Sequence, residues 1–110
     1  MLEISVTKKG SYTLVELIGK VTQEEEAEKL RTTVDKVLEE GEKTVVLKMD
    51  RLTLISSDGL GELLRLWSIA NKQHAHIMAV HVNEKIFDLL RITRLNEYIK
   101  VYPTEEVATR

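Results

Sequence analysis

Two serines and an aspartate in a row, Ser56-Ser57-Asp58, are followed by Gly59, Leu60 and Gly61. Two hydroxyls and a carboxylate thus stand together at one point of the chain. Upstream, Thr44-Val45-Val46-Leu47-Lys48-Met49 is a β-branched apolar run of the kind that fills a covered strand. Downstream, Leu60, Leu63, Leu64 and Trp67 recur at helical spacing, so a helix starts near Ser57. The first N–H groups of a helix have no internal partner, and together with the helix dipole they favour an anion. A serine placed there caps the helix or carries a phosphate. Ser and Asp are both preferred caps, so capping alone accounts for the pair as well as a switch does. The glycines ask for more, since each costs roughly 1 kcal/mol against alanine in a helix. That cost is tolerated where a neighbouring element or a docked partner approaches the backbone closely.

Other chemistries need residues this chain does not have. Gly59-Leu60-Gly61 lacks the third glycine of a dinucleotide fingerprint, and no Gly-Lys-Ser/Thr follows as in a phosphate loop. A serine nucleophile on a Gly-x-Ser-x-Gly elbow would need glycine where Ile55 stands. A small enzyme built on Ser57, Asp58 and His81 is therefore the weakest reading. His74, His76 and His81 flank a strand candidate; His74 and His76 would share one face if extended, but two imidazoles without a third ligand rarely make a catalytic metal site. Neither a metal nor a cofactor is expected. A net charge of −2 argues against nucleic acid, and 5% aromatic residues leave few platforms for stacking bases. No apolar run reaches membrane-spanning length, Met1-Leu2-Glu3 opens no signal peptide, and cysteine is absent. The expectation is a cytoplasmic protein without a membrane partner.

The elements that position Ser57 follow from periodicity and punctuation. Strands are expected from Ile4 to Lys8 and from Tyr12 to Ile18, joined by a Gly10-Ser11 turn. Thr22-Gln23-Glu24-Glu25 spells a capping box, with Glu25 reaching back to Thr22. The helix it opens buries Ala27, Leu30, Val34, Val37 and Leu38 and stops at Gly41. After the covered strand, a second helix runs to about Lys72, and Ile77 to Val80 forms another strand. Asn83 caps a third helix, Lys100-Val101-Tyr102 makes an edge strand, and Pro103-Thr104-Glu105-Glu106 begins a last short helix. The fold expected is α/β, one domain over residues 1–110, with a single mixed sheet of about four to five strands covered by about four helices. On the second helix, Leu66 and Ile69 lie off the Leu60, Leu63, Leu64, Trp67 stripe. They are expected either to form an exposed docking surface or to widen the buried face.

These residues resemble the STAS-domain anti-sigma-factor antagonists of bacteria, the stand-alone kind in particular. The likeness runs through Val45–Met49 and Ile55-Ser56-Ser57-Asp58-Gly59-Leu60-Gly61, similar to the family's Asp-Ser-Ser/Thr-Gly-Leu-Gly. It continues in Ile86-Phe87-Asp88-Leu89-Leu90-Arg91-Ile92-Thr93-Arg94-Leu95 and in Val101-Tyr102-Pro103-Thr104-Glu105-Glu106-Val107-Ala108. The resemblance implies a binding module rather than an enzyme. Its partners would be an anti-sigma factor with serine kinase activity and a metal-dependent serine phosphatase. The serine two residues before the motif glycine Gly59 is Ser57, the implied phosphorylation site. Ser56 stands where the family has an acid and remains a rival acceptor. Partner contacts are implied for Ser56, Ser57, Asp58, Gly59, Leu60 and Thr22, with Leu66 and Ile69 added for their apolar character. The alternative is a STAS scaffold that does not switch, a subunit of a larger regulatory or transport assembly, in which Ser57 is only a cap.

Overall fold

A computed structural model describes all residues from Met1 to Arg110. Two strands open the chain, β1 (Leu2–Lys8) and β2 (Thr13–Val21), paired antiparallel with Leu2 opposite Gly19 and Lys8 opposite Thr13. Helix α1 (Glu24–Glu39) carries the chain to β3 (Thr44–Lys48), and β4 (Leu52–Ile55) follows after a turn. Then come α2 (Ser57–Lys72), β5 (His76–Val80) and α3 (Glu84–Ile92). A 3-10 turn (Leu95–Glu97), β6 (Lys100–Tyr102) and the short α4 (Glu105–Ala108) complete it. The sheet runs β1-β2-β3-β5-β6, and every pairing beyond the first is parallel.

The expected α/β architecture is observed, with one strand more than expected. That strand is β4, which pairs with the far half of β2 (Val21 opposite Ile55) while β3 pairs with the near half (Thr13 opposite Val45). The two are one strand line broken at Met49–Arg51, where the Gly19 N–H donates to the Arg51 carbonyl at 3.0 Å. Four residues reading Leu-Thr-Leu-Ile are too few for alternation to declare a strand by itself.

Side-chain alternation divides the sheet into two faces. Val15, Leu17, Val45, Leu47, Ile77 and Ala79 point into the main core with Leu30, Val34, Leu63, Leu66, Ile86 and Leu90 of the first three helices. Val46 and Val80, equally buried, face the other way, toward the side where α4 contacts β3, β5 and β6. Tyr12 donates its phenol hydrogen to Glu105 and ties α4 to the sheet.

The start of α1 lies one residue later than expected. Its cap is Gln23, and Glu26 rather than Glu25 reaches back. The Glu26 carboxylate accepts from the Thr22 N–H at 2.8 Å and the Gln23 N–H at 3.2 Å, and pairs with the Met1 amino group. Those hydrogen bonds, the amino group's first, hold the Glu26 carboxyl at about 2, against the opposing effect of its burial.

Candidate functional site

Parallel strands β2 and β4 end side by side, and the site lies at their carboxyl ends. The Ser56 N–H donates to the Val21 carbonyl at 2.8 Å, so the start of α2 is held directly to β2. Thr22 directly follows β2, and Ser56 directly follows β4, so the register of Val21 opposite Ile55 brings these two residues to the same end of the sheet. The Thr22 hydroxyl is engaged with Glu26 at 3.2 Å.

Ser56, in extended backbone at φ −95°, is the cap residue of α2, and Ser57 is its first helical residue. The expectation of Ser57 as the cap is thus corrected by one position. The Ser56 hydroxyl makes no capping hydrogen bond; its oxygen is buried without a partner. The first helical bond runs from the Leu60 N–H to the Ser56 carbonyl at 2.9 Å. The N–H groups of Ser57, Asp58 and Gly59 therefore have no place in the helical ladder. Ser57 and Asp58 are exposed directly above them. The Ser57 hydroxyl has no histidine or carboxylate hydrogen-bonded to it, so nothing prepares it as a nucleophile.

The two motif glycines have different causes. A Cβ on Gly59 would lie 2.5 Å from Ile55 Cγ1, 2.9 Å from Val21 Cγ1 and 3.0 Å from the Val21 carbonyl oxygen. Gly59 is therefore required for α2 to sit against β2 and β4. Of the two explanations for close approach, a neighbouring element holds at this position. A Cβ on Gly61 would meet nothing within 4 Å. Its missing side chain leaves bare backbone on the outer surface.

The buried face of α2 comprises Gly59, Glu62, Leu63, Leu66 and Ala70. Leu66, expected among candidate docking residues, has no exposed surface and packs in the core. That expectation is overturned, because the stripe is centred on Leu63 and Leu66 rather than on Leu60 and Leu64. Ile69 is half-buried and packs against the core from the side, as do Leu60 and Trp67. Leu64, assigned to the buried stripe from the sequence, is 42% exposed. It follows Ser57 and Gly61 at helical spacing, so the three line one outward strip.

Glu62 is the residue that sequence reasoning missed. It is buried and takes Arg31 Nε of α1 on one oxygen and Arg65 Nε on the other, each at 2.9 Å. Arg65 also grips both oxygens of Asp35 at 2.9 and 3.0 Å, so α1 and α2 are clasped together. Its position four residues before Leu66 and three after Gly59 was the available signal, had Gly59 been counted as a core residue.

Fold and site together define a small α/β module that presents an exposed serine over unpartnered helix N–H groups. The chain belongs to the STAS domain family, whose model matches residues 3–108. It is similar to the crystal structure of an anti-sigma factor antagonist from Mycobacterium paratuberculosis, with 17% identity, a TM-score of 0.87 and 99% of this chain and 92% of that chain covered. An anti-sigma-factor antagonist (STAS) domain protein from Planctomyces limnophilus matches with 18% identity and a TM-score of 0.79, over 98% and 95% of the two chains. The Bacillus cell fate determinant SpoIIAA in its phosphorylated form matches with 15% identity and a TM-score of 0.72, over 99% and 96%. At these identities the likeness establishes a shared fold. No curated protein matches the chain. No helix is long and apolar enough to cross a membrane.

Proposed function

We propose that this chain is an anti-sigma-factor antagonist switched by phosphorylation of Ser57. Unphosphorylated, it binds an anti-sigma factor that is also a serine kinase, and a sigma factor is thereby freed for transcription. The kinase modifies Ser57 and a metal-dependent serine phosphatase restores it. The observation that carries this reading is the exposed Ser57 hydroxyl at the first position of α2, above three N–H groups outside the helical ladder. Ser56 suits the acceptor role less well, because its hydroxyl oxygen is buried. SpoIIAA, which shares the fold, has a phosphorylated form.

A phosphate would add about −1.5 to −2 charges where the helix start favours negative charge, so the domain itself tolerates it. In a docked interface the same group, beside the exposed Asp58, would repel acidic groups and resist desolvation. The contact surface in this reading is Thr22, Ser57, Asp58 and Leu60 with the outward strip of Gly61 and Leu64. Ser56 and Gly59 shape it from beneath, whereas Ile69 is half-buried about three turns further along α2, beside Asp35 and Glu39 of α1, and is left out of it.

The test is incubation of the purified protein with anti-sigma-factor kinases and ATP, followed by peptide mapping. One phosphate on Ser57, absent in Ser57→Ala, supports the switch. Label on Ser56 would overturn the residue assignment. Stable binding without phosphorylation by any retained kinase would favour a scaffold that does not switch.

A further inference from the structure

At the opposite end of α2 lies a groove of about 410 Å³, bounded by that helix, the start of β5 and the edge strand β6. Trp67 and Tyr98 form its aromatic wall, with ring centroids 4.8 Å apart in an edge-to-face arrangement, and Tyr102 continues it. Lys100, Asn71, His74 and His76 supply the polar groups. None of these side chains is used in a hydrogen bond within the chain. Lys100 forms no ion pair. No carboxylate lines the groove, although the chain as a whole carries a net charge of −2.

The groove also borders one of the three non-glycine residues with a positive φ, the others being His81 and Arg94. His74 holds a left-handed backbone at φ 58°, in the turn that ends α2, where the Ala75 N–H donates to the Ala70 carbonyl at 2.8 Å. Glycine is the residue that adopts this conformation without strain. The histidine there bears a conformational cost, and its imidazole lines the groove.

We propose that the groove binds a small ligand made of a flat aromatic ring bearing one carboxylate. The aromatic wall offers edge and face contacts to a ring. The Lys100 ammonium, the Asn71 amide and the imidazoles offer donors to an acceptor group. A single formal cation matches a singly charged carboxylate better than a doubly charged phosphate. The volume falls within the range of small-molecule sites. The site is separate from Ser57, and its occupancy does not depend on the phosphorylation reading.

Trp67 is the only tryptophan, so its indole N–H gives a single reporter resonance in a proton–nitrogen NMR spectrum. The probes are 2-naphthoate, its uncharged isostere 2-naphthamide, and cyclohexanecarboxylate, which has the charge without the ring. We expect 2-naphthoate to shift the Trp67 resonance saturably, and the other two to bind at least about tenfold more weakly. Lys100→Gln, on an exposed edge position, should weaken 2-naphthoate by about tenfold. His74→Gly should also weaken it while melting at or above the wild-type temperature, because the backbone strain is removed. That result separates ligand binding from folding. A Trp67 resonance that does not move in millimolar 2-naphthoate would overturn the proposal. So would equal affinity for naphthamide, or full affinity in Lys100→Gln.

Discussion

Gly59→Ala and Gly61→Ala form a matched pair that tests the geometry of the α2 start. Both add one methyl to the same helix, and propensity alone predicts a gain of roughly 0.5–1 kcal/mol for each. At Gly61 the methyl enters open space, so the gain should appear in full, raising Tm by about 2–5 °C in a domain of this size. At Gly59 it would stand 2.5 Å from Ile55 Cγ1 and 2.9 Å from Val21 Cγ1, both on strands fixed in the sheet. Overpacking of this kind costs about 1–3 kcal/mol, which exceeds the propensity gain. The net expectation is a loss of roughly 1–2 kcal/mol, seen as a Tm about 4–8 °C below wild type. Calorimetric melts of the two variants beside wild type read the difference directly. If Gly59→Ala is as stable as Gly61→Ala, the seating of α2 against β2 and β4 is wrong. Partner binding should then separate the two further: Gly61→Ala obstructs the outer strip and weakens binding in a protein that has become more stable.

The remaining predictions concern the same helix and its neighbour. Leu66→Ala should cost about 2–5 kcal/mol in a denaturant titration, as for a fully buried leucine, whereas Leu64→Ala should stay within about 0.5 kcal/mol and weaken partner binding. The reverse order of stabilities would restore the stripe first read from the sequence. Ser57→Asp should leave the melt within about 1 kcal/mol of wild type, since a carboxylate is favoured in the first turn, and should reduce affinity for the anti-sigma factor. Wild-type affinity measured by titration calorimetry would remove the charge-based switch. Glu26 is held at about 2 against an ordinary 4.5, so its contribution to stability is complete above 4.5 and is lost as pH falls toward 2. Chemical unfolding at several pH values should show the wild-type advantage over Glu26→Gln shrinking across that window; a constant difference down to the lower limit would contradict the pairing.

What the sequence made legible was the order of elements and the place of the serine. Long periodic segments such as Ala27 to Leu38 declare themselves, and Asn83 does cap α3, accepting from the Ile86 N–H at 2.9 Å. The phase of α2 was misread because Leu60, Leu64 and Trp67 are apolar by type yet lie on its flanks and outer face. The true inner stripe contains Gly59, Ala70 and a carboxylate, Glu62. Hydrophobicity cannot identify a buried glutamate whose partners, Arg31 and Arg65, include one from another helix. Strand β4 escaped for a related reason: it exists because β2 is long enough to pair with two strands in succession. The partnerless Ser56 oxygen and the bare surface at Gly61 depend on the packing of three elements, and local pattern carries no record of that.

The clasp between α1 and α2 bears on how information can pass through so small a domain. Sixteen residues make α2 a rod of about 24 Å, fixed at its first turn by Gly59, at mid-length by Glu62 and Arg65, and near its last by Ala70. Contacts at three points along its length oppose bending or sliding of the helix. A phosphate on Ser57, in the proposed switch, would then be read where it is placed, by whatever touches that surface. With both the Ser57 switch and the groove site as proposed, the clasp would keep them at separate ends of one fixed helix, so that each would answer its own molecule.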